Sequence, residues 1–291
     1  MKVFLTGATG FIGRPTWREL QAKGHEVCIL TRTPSNLFTQ QGVTQIEGSL
    51  DDIPQWLPQL MAFKPDSCIH YAWQGIPDYS LKNSLFNLEM SANLLDVLGS
   101  IGCSYVAVSG SCWEYGAVTE ETTEQAEVIR PSVFGAAKNA LREIAVAVCA
   151  DHEMKLGWGR VFFPYGPHQK RASIVPFVCQ ALTQGEVPRA RTPNIRNDFI
   201  YVDDVALAFI HMVEEKLEGV FNIGSGEGTY VGEIVNRLCR VDGKAEPHQD
   251  PFSGSGFWAN NNRLVESGWQ PKTPLNEGLK RTLQEYRDPT S

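Results

Sequence analysis

The sequence predicts an α/β protein: a doubly wound parallel sheet followed by a smaller C-terminal α/β lobe. Three observations predict it. Residues 3–13, VFLTGATGFIG, run from a short apolar stretch through Gly7, Gly10 and Gly13 into an apolar-periodic segment. That is the pattern of a buried strand, a glycine turn and a helix. Strand-like and helix-like segments then alternate to about residue 165, which implies parallel pairing with crossover helices. Beyond that point the rhythm loosens, with no repeat and no low-complexity linker.

In order, Val3 to Leu5 reads as the first strand and Arg14 to Lys23 as the first helix, stopped by Gly24. Glu26 to Thr31 is the second strand and Val43 to Glu47 the third. Asp52 is placed to cap a helix from Ile53 to Phe63. Ser67 to Ala72 is the fourth strand, Leu81 to Leu98 a long helix, and Tyr105 to Ser109 the fifth strand. Pro131 to Lys138 opens a helix that continues to about Ala150. Leu156 to Phe163 is a sixth strand. Ser173 to Thr183 reads as a helix, Asp198 to Val202 as a short strand, and Asp203 as the cap of a helix to Glu215. Gly219 to Ile223 is a strand, Thr229 to Cys239 a helix, and Leu275 to Tyr286 the closing helix. The expected division is 1–165 for a Rossmann-like domain, with strand and helix returns near 197–225, and 166–291 for a mostly substrate-binding lobe.

The glycines have separate steric duties. Gly7 permits the tight turn, Gly10 lets a pyrophosphate approach the backbone, and Gly13 lets helix and strand pack closely. Free N–H groups at the helix start, with the helix dipole, favour an anion. An acid at the end of the second strand would hold the ribose hydroxyls of NAD. Thr31 and Arg32 stand there instead, and Arg32 offers a cation to a 2′-phosphate, so NADP is the expected cofactor and NAD the second choice.

The 291 residues carry 42% hydrophobic side chains and a net charge of −7. That balance argues against a general nucleic-acid or membrane-surface binder. No apolar run of about 18 residues occurs, so no spanning helix is expected. The chain enters a strand at once, which leaves no room for a signal peptide. Seven cysteines, an odd number with no C-x-x-C, read as reduced core thiols of a cytoplasmic protein. No His/Cys/Asp/Glu cluster suggests a metal.

Together, TGATGFIG, IHYA at 69–72, SGSCWEYG at 109–116, FGAAK at 134–138, RVFFPYGP at 160–167, NDFIYVDDVA at 197–206, FNIGSG at 221–226 and GWQP at 268–271 resemble the extended short-chain dehydrogenase/reductases. The resemblance is to their NAD-dependent epimerase/dehydratase family of nucleotide-sugar enzymes. It implies that Ser111 is the hydrogen-bonding hydroxyl. It also implies that Lys138 binds the nicotinamide ribose and lowers the pKa of a tyrosine. That tyrosine should be residue 134, and residue 134 is Phe134. Further cofactor contacts are implied for Phe11, Ile12, Ser49, Leu50, Tyr71, Ala72, Ser109 and Phe162. The resemblance also implies a nucleotide-sugar substrate and a homodimer through the helices at about 81–98 and 132–150.

Phe134 is the most informative departure. A phenol beside an ammonium has its anion stabilised and can pass a proton to the oxygen at the reacting carbon. Phenylalanine can do neither. Three explanations stand at this point: an engineered Tyr-to-Phe variant that traps substrate, another donor among Tyr115, Cys112 and Ser132, or nucleotide binding without catalysis.

The resemblance also narrows the reaction. Dehydratases of the group carry an Asp-Glu pair where this chain has Cys112 and Trp113, so water loss is disfavoured. The Cys and His of the 3,5-epimerase-reductases fall on Trp113 and Ser173, so that chemistry is disfavoured too. Reduction of a nucleotide-linked 4-keto-6-deoxy sugar is the expected reaction, with 4-epimerisation as the alternative. Trp73, Trp113 and Tyr165 follow strand ends and are candidates to wall the sugar; Cys112 is a further candidate contact. Arg196 resembles the family arginine that pairs with the diphosphate, with Arg171 and Arg189 behind it. His168 reads as a surface histidine. FWANNN, beginning at Phe257, resembles a base-binding loop whose arginine is replaced, with His248 as the candidate replacement.

Overall fold

The computed structural model of the chain describes residues 1–170 and 173–288. Its strands and helices follow in the order β1 (Lys2–Thr6), α1 (Gly13–Ala22), β2 (Glu26–Thr31), α2 (Asn36–Gln40), β3 (Thr44–Glu47), α3 (Ile53–Phe63), β4 (Ser67–His70), α4 (Leu81–Ser100) and β5 (Tyr105–Ser111). After a short 3₁₀ turn at Cys112–Glu114 come β6 (Glu121–Thr122), α5 (Val133–Asp151), β7 (Lys155–Val161), β8 (Phe163–Tyr165), α6 (Ile174–Thr183), β9 (Arg196–Tyr201) and α7 (Val202–Glu214). The remainder is β10 (Gly219–Ile223), β11 (Gly228–Tyr230), α8 (Val231–Val241), β12 (Gly256–Ala259), α9 (Asn262–Glu266) and α10 (Leu275–Arg287). The chain divides into two units. Unit 1 comprises Met1–Gly116, Val128–Arg160 and Ala206–Phe221; unit 2 comprises Ala117–Glu127, Val161–Val205 and Asn222–Ser291.

Unit 1 is built on a seven-stranded sheet in the order β3-β2-β1-β4-β5-β7-β10. β1 pairs in parallel with β2 and β4, β2 with β3, and β4 with β5. Phe4 stands opposite Cys28 and Cys68, and Cys68 opposite Val106. These side chains join Trp56, Leu94, Leu98, Leu141 and Trp158 in one core beneath α3, α4 and α5. Their neighbours Val3, Leu5, Val27 and Ile29 point to the opposite face and are equally buried. Both faces of the sheet are therefore covered, and so its strands read as unbroken apolar runs.

Unit 2 has a smaller sheet in which β9 lies between β11, antiparallel, and β12, parallel, while β12 also pairs with β6 and β8 with β9. Its core gathers Tyr165, Val178, Phe199, Tyr201, Ile234, Leu238, Leu279 and Leu283. One buried carboxylate ties this unit together. Asp198 accepts from the Ser225 backbone and hydroxyl at 2.7 Å each, and from the Gly226 and Ala259 backbones at 3.1 Å. Burial pushes the Asp198 carboxyl up to about 6, against those four donors.

Several boundaries differ from the sequence reading for identifiable reasons. β5 runs on to Ser111, so the expected hydroxyl is the strand end itself. The expected sixth strand is two: β7 joins the large sheet and β8 pairs with β9. Asp52 stands at the start of α3 but makes no side-chain cap, because its backbone there is φ −136°, ψ 60°. Asp203 lies inside the first turn of α7 rather than before it, where its charge still suits the helix dipole. The helix expected from Thr229 begins at Val231, behind β11. α2, β6, β11, β12 and α9 were not foreseen, since two to five residues are too few to show a period. All seven cysteines are free and buried. Burial pushes the Cys28 thiol up to about 12. Among the described residues no helix is long and apolar enough to cross a membrane.

Candidate active site

The opening turn of unit 1 has the shape its glycines require. Gly7 sits at φ +75°, in the left-handed region where a side chain would be strained. A Cβ on Gly13 would stand 2.1 Å from the Gly7 carbonyl oxygen, so only glycine lets α1 start this close to β1. Gly10 donates to Gly7 O at 2.9 Å, and Arg14 donates to Gly10 O at 3.1 Å. The residue before the helix, Ile12, offers no side-chain cap. Among the described residues the N–H groups of Phe11 and Ile12 have no backbone acceptor, and they lie at the positive end of the α1 dipole.

The ends of β2, β3 and β4 flank this turn. Thr31 is buried and its hydroxyl is engaged within its own turn, donating to Thr33 O at 3.0 Å, which leaves Arg32 as the exposed group. Ser49 and Leu50 are half-buried, and Ser49 O accepts from the Trp56 indole at 2.7 Å. Tyr71 is engaged by α1 and α7. Its hydroxyl meets that of Thr16 at 3.1 Å, and its ring packs edge-on against Phe209 of α7 at 4.8 Å. Ala72 N–H donates to Thr6 Oγ1 at 3.3 Å. His70 is buried between Thr6 and Ser91, at 2.7 and 3.0 Å, where burial and then the Lys138 charge pull it down to about 3. It is a neutral clip joining β1, β4 and α4.

The end of β5 carries Ser111, and α5 carries Phe134 and Lys138. Ser111 Oγ accepts from Trp113 N–H at 3.3 Å, and the Ser111 N–H donates to Glu114 Oε1 at 2.7 Å. Glu114, fully buried, also accepts from Trp158 Nε1 and, at 2.7 Å, from Arg160 Nε. Lys138 reaches in from α5. Its ammonium donates to Ser109 O at 2.7 Å and lies 4.0 Å from the Trp73 ring centroid. Burial pulls Lys138 from its ordinary 10.5 down to about 8, opposed by the Glu114 charge.

Phe134 sits in an aromatic box. Its ring meets Trp73 edge-on at 5.5 Å and Tyr79 at 5.0 Å, and Tyr79 stacks on Trp113 at 5.9 Å. Of the three other proton donors considered from sequence, two are closed off by burial. Cys112 and Tyr115 are buried at 1% and 0% exposure, and Tyr115 lies under the Arg160 guanidinium. Ser132 is the N-cap of α5, its oxygen accepting from Gly135 N–H at 3.2 Å.

In unit 2 two expected contacts are corrected. Phe162 is fully buried and packs on Phe257, so it is a wall residue rather than a cofactor contact. Tyr165 is 1% exposed and donates to Leu275 O, which makes it core. His248 is corrected as well: its Nε2 accepts from Ala190 N–H at 3.0 Å, and burial followed by the Arg189 charge lowers its pKa. A neutral acceptor cannot take the place of a diphosphate-binding arginine. Arg196 is held by donation to Gly228 O at 2.7 Å and by the Trp258 face at 4.1 Å. Arg189 is exposed, His168 pairs with Glu285 at the surface, and Arg171 lies outside the described residues.

The sequence pattern of the NAD dependent epimerase/dehydratase family matches residues 3–224. The chain belongs to that family. Among curated relatives, it is 25% identical to dTDP-6-deoxy-L-talose 4-dehydrogenase (NAD(+)) of Aggregatibacter actinomycetemcomitans, covering 88% of this chain and 97% of that one. It is 22% identical to a trifunctional UDP-glucose 4,6-dehydratase/3,5-epimerase/4-keto-L-rhamnose reductase of Arabidopsis thaliana, over 98% of this chain but only 47% of that one. Among solved structures, UDP-glucose 4-epimerase of Thermus thermophilus in complex with NAD matches with TM-score 0.82 and 25% identity over 99% of both chains. The corresponding epimerase of Thermotoga maritima with UDP-glucose, 24% identical over the whole of both chains with TM-score 0.86, shows the same fold.

An enzyme of this family works with a nicotinamide dinucleotide, and the opening turn fits one. Among the described residues the Phe11 and Ile12 N–H groups have no backbone acceptor, and Gly13 adds no side chain at the helix start. The preference for NADP drawn from Thr31 and Arg32 is not matched by these proteins, where the named cofactor is NAD. The least expected feature is the Glu114–Arg160 pair. The spacing Ser111-x-x-Glu114 is a capping-box signature and could have exposed it.

The Lys138 pKa sets a testable pH limit. The ammonium is present below about 8 and is lost as pH rises through that value. NAD affinity, measured by calorimetry between pH 7 and pH 9 (~2 units spanning the shifted value), should weaken across that window, and in Lys138→Met it should stay flat. Equal affinity at both ends for the unaltered chain would contradict the role given to Lys138.

Proposed function

We propose that the chain catalyses reversible hydride transfer at carbon 4 of a nucleotide-linked sugar, in the direction of reducing a 4-keto-6-deoxyhexose. The observation that carries this reading is the buried Lys138 ammonium bonded to the Ser109 carbonyl, two residues before Ser111, at the carboxyl end of β5, the edge of a parallel sheet where ligands bind. When bound, the dinucleotide supplies or accepts the hydride. Ser111 donates its hydroxyl hydrogen to the sugar oxygen, since its own oxygen already accepts from Trp113. Lys138 places a positive charge where a developing oxyanion gains most, in a desolvated setting.

Dehydration is disfavoured because Cys112 and Trp113 supply no carboxylate, and Cys112 is buried. Epimerisation through carbons 3 and 5 is disfavoured because Ser173 stands where a base is needed, at the start of α6. The 4-dehydrogenase relative, matched over nearly its whole length, supports the reductase. The likeness to UDP-glucose 4-epimerases supports simple 4-epimerisation as the second reading.

NAD(H) is the proposed cofactor, with exposed Arg32 as the one group that could favour a 2′-phosphate. In unit 2, we assign Arg196 to the diphosphate and Phe257 to the nucleoside. The clamp on Arg196 Nε leaves the rest of its fork for phosphate oxygens. Trp73 and Trp113 are the proposed sugar-facing aromatics of unit 1. A homodimer through α4 and α5 is also proposed. Leu81, Leu85, Ile144 and Val146 on those helices are exposed at 60%, 52%, 37% and 50%, more apolar area than a free helix face needs.

Two outcomes follow. With dTDP- or UDP-4-keto-6-deoxyglucose, NADH should be oxidised one for one with sugar and faster than NADPH at equal concentration. Conversion at carbon 4 with no net change in absorbance at ~340 nm, the reduced-nicotinamide band, would favour the epimerase. Leu85→Glu should turn a dimer into a monomer in sedimentation velocity; an unaltered chain that sediments as a monomer would refute the dimer.

A further inference from the structure

Position 134 cannot pass a proton, yet reduction of a ketone requires one. Tyr79, from the loop between β4 and α4, packs its ring 5.0 Å from that of Phe134 and stacks on Trp113. It is 41% exposed, whereas Tyr105, Tyr115 and Tyr165 are buried to 1% or less. Among the described residues its hydroxyl makes no hydrogen bond, so its proton is uncommitted. The loop is nevertheless well defined. Asn83 Nδ2 donates to Gln74 O at 3.0 Å and Asp78 O at 2.7 Å, while Asn87 holds both the N–H and the carbonyl of Gln74. Ser80, next in sequence, caps α4 by accepting from Asn83 N–H.

We propose that Tyr79 is the proton-transfer residue of this enzyme, taking the part that a tyrosine at position 134 would have played. This rests on the proposed reduction at carbon 4. Tyr79 Oη gives its proton to the sugar oxygen as the carbonyl electron pair moves onto that oxygen. Carbon 4 gains the hydride of reduced dinucleotide, and water returns a proton to the phenolate. Phe134 then acts as packing: it fixes the Tyr79 ring on one side and the Trp73 ring on the other, with Lys138 on the Trp73 face. Burial pushes the Tyr79 phenol above its ordinary value, which keeps it in the donating form.

The test combines a binding readout with kinetics. In protein labelled with carbon-13 at the tyrosine ζ position, the Tyr79 resonance is assigned by its loss in Tyr79→Phe. It should move when UDP-glucose and NAD are added together. In single-turnover reduction of dTDP-4-keto-6-deoxyglucose, Tyr79→Phe should be slower by roughly 10²-fold or more, the usual worth of a positioned acid. Its KM should hold within about threefold, since the ring that packs is kept. Phe134→Tyr in that background should recover at least about tenfold, and alone should change turnover by less than about tenfold. A Tyr79 resonance that stays still while others respond to ligand would overturn the proposal. So would Tyr79→Phe turning over within about twofold of the parent. If no resonance responds to either ligand, the reading as a nucleotide-sugar enzyme fails, and this inference with it.

Discussion

The Glu114 carboxylate, buried in unit 1, accepts from the Ser111 backbone, the Trp158 indole and the Arg160 guanidinium, while its own carbonyl takes Asn139 Nδ2 at 2.9 Å. The end of β5 and strand β7 therefore meet at one charge, and helix α5 joins them through the backbone of the same residue. Removing one partner of such a pair leaves the other buried and unpaired, at a cost of about 3–5 kcal/mol. The same geometry fixes the distance between Ser111 on β5 and Lys138 on α5, so the chemistry at the sheet edge depends on it. Neither residue would be held there by its own contacts alone: Ser111 has one acceptor bond of 3.3 Å, and Lys138 one carbonyl and one ring.

Position 134 gives this site its individual character. A tyrosine there would bring a hydroxyl towards Lys138. In its absence the ammonium is balanced by the Ser109 carbonyl and the Trp73 ring, and Phe134 completes an aromatic box with Trp73, Tyr79 and Trp113. A cation on an aromatic face in a desolvated site is worth about 2 kcal/mol or more. The Phe134 ring packs between those of Trp73 and Tyr79.

Much of this was legible in the sequence, and the exceptions have physical reasons. The Gly7, Gly10 and Gly13 turn and the parallel sheet followed from steric rules and apolar runs that act within about ten residues. Ser111 and Lys138 followed from family spacing. Glu114 carried a local signature, but its partners Trp158 and Arg160 are 44 and 46 positions away. Tyr79 carried no signal, because a loop aromatic has neither period nor motif and gains its meaning only by packing on Phe134. Phe162 and Tyr165 were misjudged for the converse reason: following a strand end does not reveal which way a side chain turns, and both turn inward.

The central claim is that unit 1 receives a nicotinamide dinucleotide along the carboxyl edge of its sheet, from the glycine turn to Lys138. A crystal structure of the chain soaked with NAD tests it most directly. The account predicts pyrophosphate oxygens on the N–H groups of Phe11 and Ile12, and ribose hydroxyls beside the nicotinamide within about 3 Å of Lys138 Nζ, the reach of a hydrogen bond. A dinucleotide bound elsewhere, or one that leaves Lys138 on Ser109 alone, would contradict it.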